Sequence, residues 1–354
     1  MKHFSLRAFC IAVCTLCLAF VQAQVTTIPA IVQKGYKGEI TVIFNPYEGN
    51  KGMANATKCY AHTGITYDGT SWQKAPTWRG GEDKYKMTKN ADGNWELKIT
   101  PNMYAYYGVA ETTEITQLCF VFNDGKDGKL EGKTVDGKDI FVNLAEAGLA
   151  ASIQTSMPEI STKGEKFTLS CYATQSAALT LSLNGKTVQT AKGTELTYTA
   201  TLPAEGNYTF EFVAKTDNEE ATATAYTCVP QAPTKANRPD GVLNGIYYDK
   251  DDQTKVTLCT YAASKTEPAQ HVFVIGDFND WTISNDYQLR QATDSAYFWI
   301  TLTGLKPRQE YAMQYVVVRA DGVVKYISDL YSEKLLHPDD QYEPRKIDPD
   351  LMPY

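Results

Sequence analysis

The sequence predicts an all-β protein made of three consecutive β-sandwich modules of the immunoglobulin-like kind. Short runs that alternate apolar and polar residues recur along the chain, separated by Gly, Asn, Asp and Pro, and this pattern is typical of strands. Long runs with the 3.6-residue period of a helix are scarce. Asn184-Gly185 lies between two such runs and predicts a tight hairpin turn. A chain of 354 residues is long enough for two or three domains.

The first 23 residues have the features of a secretory signal peptide. A short basic region is followed by an uncharged apolar run over residues 8–21, and small residues precede a cleavage point after Ala23. The run is shorter than the ~20 residues of a membrane span, and no later segment is apolar enough to span a bilayer. We therefore expect a secreted or cell-surface protein. The sequences that flank Cys14 and Cys17 favour secretion over a lipid anchor.

Two stretches of the remaining chain predict domain boundaries. A Gly/Ala-rich stretch ends near residue 149, and PQAPTKANRP at 230–239 has the composition of a linker. The predicted domains are the signal peptide at 1–23, a first module at 24–149, a middle module at 150–232 and a third module at 233–354. The middle module is interpreted as an immunoglobulin-like spacer, because PAEGNY at 203–208 precedes an alternating strand.

Charge and cysteine content exclude several classes of function. A formal net charge of −7 argues against nucleic acid or an anionic membrane as a partner. Three of the eight cysteines fall in the predicted signal peptide, and the other five form an odd, scattered set that predicts buried thiols rather than a disulfide framework: Cys59, Cys119, Cys171, Cys228 and Cys259. A pair between Cys171 and Cys228 remains open.

Metal and catalytic patterns are missing from the sequence. No cysteine spacing suggests zinc, the histidines are too sparse for a triad, and the acidic run Asp249, Asp251 and Asp252 lacks the Gly and Glu of a calcium loop. We therefore predict no metal, no cofactor and no catalytic residue, and interpret the acidic run as a solvated turn.

The best candidate binding site is the stretch CYAHTGITYDGTSWQKAPTW, which runs from Cys59 to Trp78. Tyr60 and His62 are two residues apart in a predicted strand and so face the same side, while Trp72 and Trp78 follow on a polar loop. Aromatic residues make up 12% of the chain, with 23 Tyr. Sugar-binding β-modules are one class with such an excess, because pyranose faces stack on Trp and Tyr. The alternative is that Tyr60 is core and His62 a hydrogen-bonded strand residue.

The same stretch resembles the starch-binding modules of families 25 and 26. Their pattern is Y-x-H-x-G followed by a Trp, and Tyr60-Ala61-His62-Thr63-Gly64 with Trp72, ten residues after His62, fits it. The resemblance implies a curved platform of Tyr60, His62, Trp72 and Trp78 that suits the pitch of an α-1,4-glucan.

Other aromatic residues of the first module are weaker candidates for contact with a ligand. Trp95 alternates with apolar residues in NWELKI and is expected in the core. The cluster Tyr104, Tyr106 and Tyr107 is either a secondary sugar contact or packing, with packing favoured.

The third module contains HVFVIGDFNDW at 271–281, an apolar strand followed by a Gly-Asp break and an aromatic turn. Tyr297-Phe298-Trp299-Ile300 and Gly304-Leu305 follow in order. Together these motifs resemble the N-terminal sandwich of branching enzymes, debranching enzymes and other members of glycoside hydrolase family 13, which is carbohydrate-binding module family 48.

This resemblance implies that Trp281 contacts glucose, but two other contacts of the family's glycogen-binding versions are missing. Gln314 stands at the position of the expected Lys, and no Trp follows Asp321-Gly322. The third module is therefore expected mainly to pack against a catalytic barrel and to bind sugar weakly.

The sequence as a whole favours one function and leaves one alternative. The catalytic blocks of family 13, D-x-x-x-N-H and N-H-D, are not found. We expect the N-terminal part of a secreted α-amylase-type hydrolase whose catalytic barrel is not in this chain, with α-1,4-glucan or a maltooligosaccharide and that barrel as partners. The alternative is a free-standing cell-surface starch-binding protein without enzymatic activity. A structural β-protein whose aromatic residues are all core is a third reading.

Overall fold

The computed structural model describes residues 24–135, 137–155, 157–262, 268–293 and 296–332. Within them the chain forms 22 strands and a single α-helix of five residues, which confirms the all-β prediction. None of the described helices is long and apolar enough to cross a bilayer. The predicted signal peptide lies outside the described residues.

Nine strands and the helix belong to the first module. They are β1 (Val25–Ile28), β2 (Ile40–Phe44), β3 (Tyr60–Tyr67), β4 (Thr70–Gln73), β5 (Thr88–Lys89), β6 (Trp95–Ile99), α1 (Met103–Tyr107), β7 (Gln117–Asn123), β8 (Glu131–Gly132) and β9 (Ile140–Asn143).

These strands form two sheets that enclose one core. One sheet has the order β1-β2-β6-β5, and the other has the order β4-β3-β7-β8 with β9 also paired to β7. Phe44 of the first sheet stacks on Phe122 of the second, with ring centroids 3.9 Å apart. Alternation along the strands supplies the rest of the core from both sheets, including Val42, Leu97, Ile65, Leu118 and Phe120.

The aromatic residues of the first module that are weaker candidates for ligand contact are buried in this core. Trp95 is 5% exposed, which confirms its assignment. Tyr104, Tyr106 and Tyr107 are also buried, and the Tyr107 hydroxyl lies 2.7 Å from Thr63 Oγ1. The three tyrosines therefore pack, as favoured from the sequence.

The middle module contributes one sheet of five strands: β10 (Ala151–Gln154), β11 (Lys166–Leu183), β12 (Lys186–Thr201), β13 (Gly206–Lys215) and β14 (Glu220–Val229). The order is β10-β11-β13-β14, with β12 also paired to β11. Asn184 and Gly185 have φ of 47° and 77° between β11 and β12, so the predicted hairpin is confirmed and both turn residues are left-handed as a type I′ turn requires.

The five described cysteines are free and buried. Burial raises the pKa of the Cys171 thiol and of the Cys228 thiol to about 12, so both stay protonated. The expectation of buried thiols is met, and the open Cys171–Cys228 pair is not formed.

Eight strands belong to the third module: β15 (Lys235–Ala236), β16 (Gly245–Tyr248), β17 (Val256–Tyr261), β18 (Ala269–Gly276), β19 (Arg290–Ala292), β20 (Tyr297–Leu302), β21 (Met313–Arg319) and β22 (Val324–Ile327). One sheet has the order β15-β19-β20-β17-β16 and the other β18-β21-β22. Their facing side chains form a second core that includes Leu258, Phe298, Val272, Val274 and Tyr315.

The chain separates into two compact units. The first comprises the described residues up to 158 together with 166–201 and 209–226, and the second comprises residues 159–165, 202–208 and those from 227 onward. The predicted division into three modules stays a prediction.

A tyrosine of the second unit closes the turn before β13. The Tyr208 hydroxyl donates to Ala204 O at 2.7 Å and accepts from Ala204 N at 3.2 Å, and the ring is buried. A tyrosine hydroxyl that bonds the backbone a few residues upstream in this way is the tyrosine corner of immunoglobulin-like sandwiches.

Tyr208→Phe should lower the free energy of unfolding by about 1–2 kcal/mol, because both backbone groups of Ala204 lose a partly buried hydrogen bond to the Tyr208 hydroxyl. Urea denaturation measures this, with Tyr198→Phe, a half-buried tyrosine of β12, as the control. Equal stabilities of the two variants would contradict the role of the corner.

Candidate functional site

Strand β3 presents Tyr60 and His62 on one side of its sheet. It pairs antiparallel with β7, with Tyr60 opposite Asn123. Both side chains are half-buried and alternate with the buried Ala61 and Thr63. The alternation confirms that Tyr60 and His62 share a face.

Trp72 lies in strand β4 and not on the predicted loop, and Gly64 allows β4 to lie close to β3, with which it pairs. A Cβ atom at Gly64 would lie 2.9 Å from Gln73 O and 3.2 Å from the carbonyl carbon of Trp72. Such distances to backbone atoms leave no room for a side chain. Steric crowding therefore explains the glycine of the Y-x-H-x-G pattern, because its lack of a side chain sets how closely Trp72 can approach His62.

Four aromatic side chains meet beside this pair of strands, and we call them the aromatic cluster: His62, Trp72, Trp78 and Phe141. The His62 ring stacks on Trp72 with centroids 5.1 Å apart and meets Trp78 edge-on at 4.7 Å. Trp72 also meets Phe141 of β9 edge-on at 6.3 Å. Trp78 is 43% exposed and Phe141 39%, so two large apolar rings of the cluster face solvent.

Polar contacts hold Trp72 in place. Its Nε1 donates to Asp139 Oδ2 at 3.1 Å. Lys133 Nζ lies 3.6 Å from the other oxygen of Asp139 and 3.7 Å from Glu131. The indole is thus fixed by its edge while its ring stacks.

Arg79 fixes the loop of Trp78 in the same way. Its guanidinium pairs with Asp124 at 2.9 Å and with Glu131 at 3.1 Å, and it donates to Leu130 O at 3.2 Å. The same group lies 5.5 Å from the centre of the Trp78 ring, within the range of a cation–π contact. Only 14% of the Arg79 side chain is exposed, so these pairs are screened less than surface pairs.

Two titratable groups of the site have shifted pKa values. Burial lowers the pKa of His62, and the Asp139 carboxylate opposes this only in part, so the ring is neutral at neutral pH. Burial alone would raise the pKa of Asp124, but the hydrogen bonds from Arg79 and from backbone N–H groups such as that of Leu130 outweigh it and lower that pKa.

His62 keeps unused hydrogen-bonding capacity. Its Nδ1 is buried and makes no hydrogen bond to any described residue. His62 also lines a small pocket with Tyr60, Arg79 and Tyr85. A ligand hydroxyl can form the missing hydrogen bond to such an unpaired polar atom beside aromatic rings.

Trp281 lies in the second unit, on the turn after β18. Asp280 and Trp281 both have left-handed backbones, with φ of 50° and 57°. Asn279 holds this turn by accepting from Gly276 N at 2.8 Å and donating to Val274 O at 3.1 Å. Trp281 is 40% exposed, so its ring is open to a ligand.

A hydrogen bond also fixes the edge of the Trp281 indole, because its Nε1 donates to Asp277 Oδ1 at 3.0 Å. The predicted site residues fall into two places. In the first unit His62, Trp72 and Trp78 come together, and Tyr60 lines the small pocket beside His62. Trp281 lies in the second unit.

Three contributors to the first site were missed from the sequence: Phe141, Asp139 and Arg79. Phe141 and Asp139 reach the site because β9 pairs with β7, with Phe141 opposite Cys119. No local pattern marks either residue. Arg79 directly follows Trp78, and a basic residue next to an exposed Trp was a signal that could have been used.

Among the described residues, no group of His, Cys, Asp and Glu has the arrangement of a metal site. Asp249 Oδ1 accepts from the backbone N–H groups of Asp251 and Asp252, both at 2.9 Å, as in an Asx turn.

Comparison with known protein families matches the third module. Residues 245–332 match the family model described as carbohydrate-binding module 48 (isoamylase N-terminal domain). Over these residues the chain is similar to that carbohydrate-binding family, as its motifs predicted. No curated protein matches the chain.

Three solved structures share a distant likeness with the chain. The fibronectin(III)-like modules of Clostridium thermocellum CbhA are 12% identical, with a TM-score of 0.18, over 58% of this chain and 93% of that one. Bacteroides uniformis β-glucuronidase 3 is 12% identical, with a TM-score of 0.21, over 52% of this chain and 25% of that one. The γ-CGTase from alkalophilic Bacillus clarkii is 10% identical, with a TM-score of 0.20, over 83% of this chain and 36% of that one. These TM-scores are too low to support any inference.

Lowering the pH should destabilise the protein through His62. Because the pKa of His62 is lowered on folding, the unfolded chain binds the proton more readily. The free energy of unfolding should then fall as the pH drops below the unfolded value of about 6.5. Urea denaturation at pH 7.5 and 5.5 measures the loss.

His62→Gln should reduce that loss without abolishing it, because burial also lowers the pKa of His271. The same loss in His62→Gln and the parent would show that His62 does not contribute.

Proposed function

We propose that this chain binds α-1,4-glucan through the aromatic cluster and so holds a secreted α-amylase-type hydrolase on its substrate. The observation that carries the proposal is the pair of exposed rings, Trp78 and Phe141, beside the fixed indole of Trp72. Large apolar rings that stay exposed without covering a core are typical of binding surfaces.

The chemistry of the cluster favours a sugar. A pyranose has apolar faces and a polar rim, and it matches rings that are flanked by hydrogen-bonding groups. Here the rings stand beside the neutral His62 and the Asp139 carboxylate. A neutral polymer also avoids repulsion by a chain of net charge −7.

The shape of the cluster favours a curved glucan. Trp78 lies at 84° to the His62 ring, and Phe141 lies at 65° to Trp72. Rings set at steep angles to one another present faces in different directions. Consecutive glucose units of an α-1,4-chain also turn relative to one another, so such a surface can meet more than one unit.

The third module supports the same proposal from a separate observation. Its match to a carbohydrate-binding family and the exposed Trp281 favour a glycan as its ligand too. Once one module of a two-module chain has bound a polymer, the other module is held close to it, so the effective concentration of the second module at the polymer rises. Targeting of an insoluble polymer is the role that gains most from this effect.

Trp78→Ala should weaken starch binding by about 1–3 kcal/mol, by analogy with the stacking of nucleic-acid bases on aromatic side chains. The thermal midpoint should hardly change, because the ring is 43% exposed. Trp72→Ala should weaken binding as well, with a further loss of stability because its indole bonds Asp139.

Binding is measured by pull-down of residues 24–354 on granular starch, with cellulose as the negative polymer, and by tryptophan fluorescence on addition of maltoheptaose. Tyr47→Ala is the matched control, since Tyr47 is a 51% exposed aromatic residue of the same module outside the cluster. Unchanged starch binding in Trp78→Ala, or equal binding to cellulose, would refute the proposal.

A further inference from the structure

The third module contains a groove that Trp281 does not line. It lies between the turn after β18, the 3-10 turn Asn285–Tyr287 and the end of β20, and has a volume of about 510 Å³. This size lies within the usual range of small-ligand sites, about 300–1,000 Å³. Every residue that lines the groove belongs to the second unit and to the stretch that matches the carbohydrate-binding family.

Three aromatic rings line the groove. Phe278 lies 5.6 Å from Tyr287 and 6.4 Å from Tyr311, measured between ring centroids, and both pairs are tilted. All three rings are half-buried. The Tyr311 hydroxyl accepts from Lys306 N at 2.8 Å, whereas the Tyr287 hydroxyl makes no hydrogen bond to a described residue. The groove therefore offers apolar ring surface together with a free phenol group.

Polar groups stand around these rings. Asp286 Oδ2 accepts from Ser284 Oγ at 3.2 Å and from Asn207 Nδ2 at 3.4 Å, which holds that carboxylate in position. The exposed side chains of Thr301, Thr303 and Gln309 also line the groove. Hydroxyl, amide and carboxylate groups around aromatic rings match the donors and acceptors of a sugar.

The charge of the groove disfavours an anionic ligand. Asp277 and Asp286 contribute two carboxylates, and Lys306 is the single cation among the lining residues. A neutral ligand with apolar faces and many hydroxyls meets both the rings and the charges.

We propose that this groove is a second glycan-binding site that takes a short segment of a neutral oligosaccharide, with Tyr287 and Tyr311 as the stacking residues. The choice of α-glucan as its ligand rests on the proposed function above. The site is separate from the exposed face of Trp281, although Asp277 joins the two. Asp277 Oδ1 accepts from Trp281 and Oδ2 accepts from Ala312 N.

The test uses residues 24–354 with Trp78→Ala and Trp281→Ala combined, so that the groove is the remaining site. Calorimetric titration with maltoheptaose should still show binding in this variant. Adding Tyr287→Ala should weaken that binding at least about fivefold, the lower end expected for loss of one stacking contact. Tyr248→Ala is the control, because Tyr248 is a 69% exposed tyrosine of the same module outside the groove.

A second variant guards against a folding defect. Thr303 is exposed at the rim, so Thr303→Arg can fill the groove without disturbing the core and should weaken binding as Tyr287→Ala does. Absence of maltoheptaose binding in the combined variant, or binding that neither groove variant weakens, would overturn the inference.

The outcomes separate this inference from the proposed function. Starch binding that depends on Trp78 while the groove variants change nothing would leave the proposed function intact and remove the groove. Maltoheptaose binding that depends on Tyr287 but not on Trp78 would do the reverse. Titration with an apolar peptide instead of the sugar checks ligand class, and saturable binding of the peptide alone would overturn the assignment to a glycan.

Discussion

A chain of polar contacts holds the aromatic cluster together. It runs from the Arg79 guanidinium through Glu131 and Lys133 to Asp139, and from there to the indole of Trp72. Isolated surface pairs contribute only ~0–1 kcal/mol each, but here the contacts share partners. They also join β4, which carries Trp72, and the turn that carries Trp78 to the neighbouring strands. The positions of the exposed rings depend on this chain of contacts.

The same segments contain backbone conformations that need such support. Trp72, Lys74 and Arg79 have left-handed φ values of 63°, 60° and 55°. Each costs on the order of 1–3 kcal/mol in a residue other than glycine and persists only where its surroundings over-determine it. The surroundings here are the stacking of His62 and the contacts of Arg79 and Trp72. A loop fixed in this way loses little conformational entropy when a ligand binds, so more of the stacking energy is retained in the affinity.

The sequence predicted the strands, the hairpin and much of the first site, because these rest on local patterns. Alternation placed Tyr60 and His62 on one face, and the short spacing along the chain placed Trp72 and Trp78 near them, although Trp72 lies in β4 and not in the predicted loop. Phe141 and Asp139 could not be predicted as site residues, because their positions follow from the register of β9 on β7. Turn geometry and packing decide that register. The groove in the third module was missed for a related reason. Phe278 and Tyr311 lie far apart in the sequence and meet only because the end of β18 pairs with the start of β21.

The two proposed binding places differ in form, which would suit a polymer better than two copies of one place. The cluster of the first module presents exposed rings, which would reach chains at the surface of a granule without enclosing them. The groove proposed in the third module would partly enclose its ligand, which would suit a free chain end or a loop of glucan. Linked on one chain, a weak contact of either kind makes the other effectively intramolecular. If the proposed function holds, rapid release at each place would let the protein move over an insoluble surface while remaining attached to it.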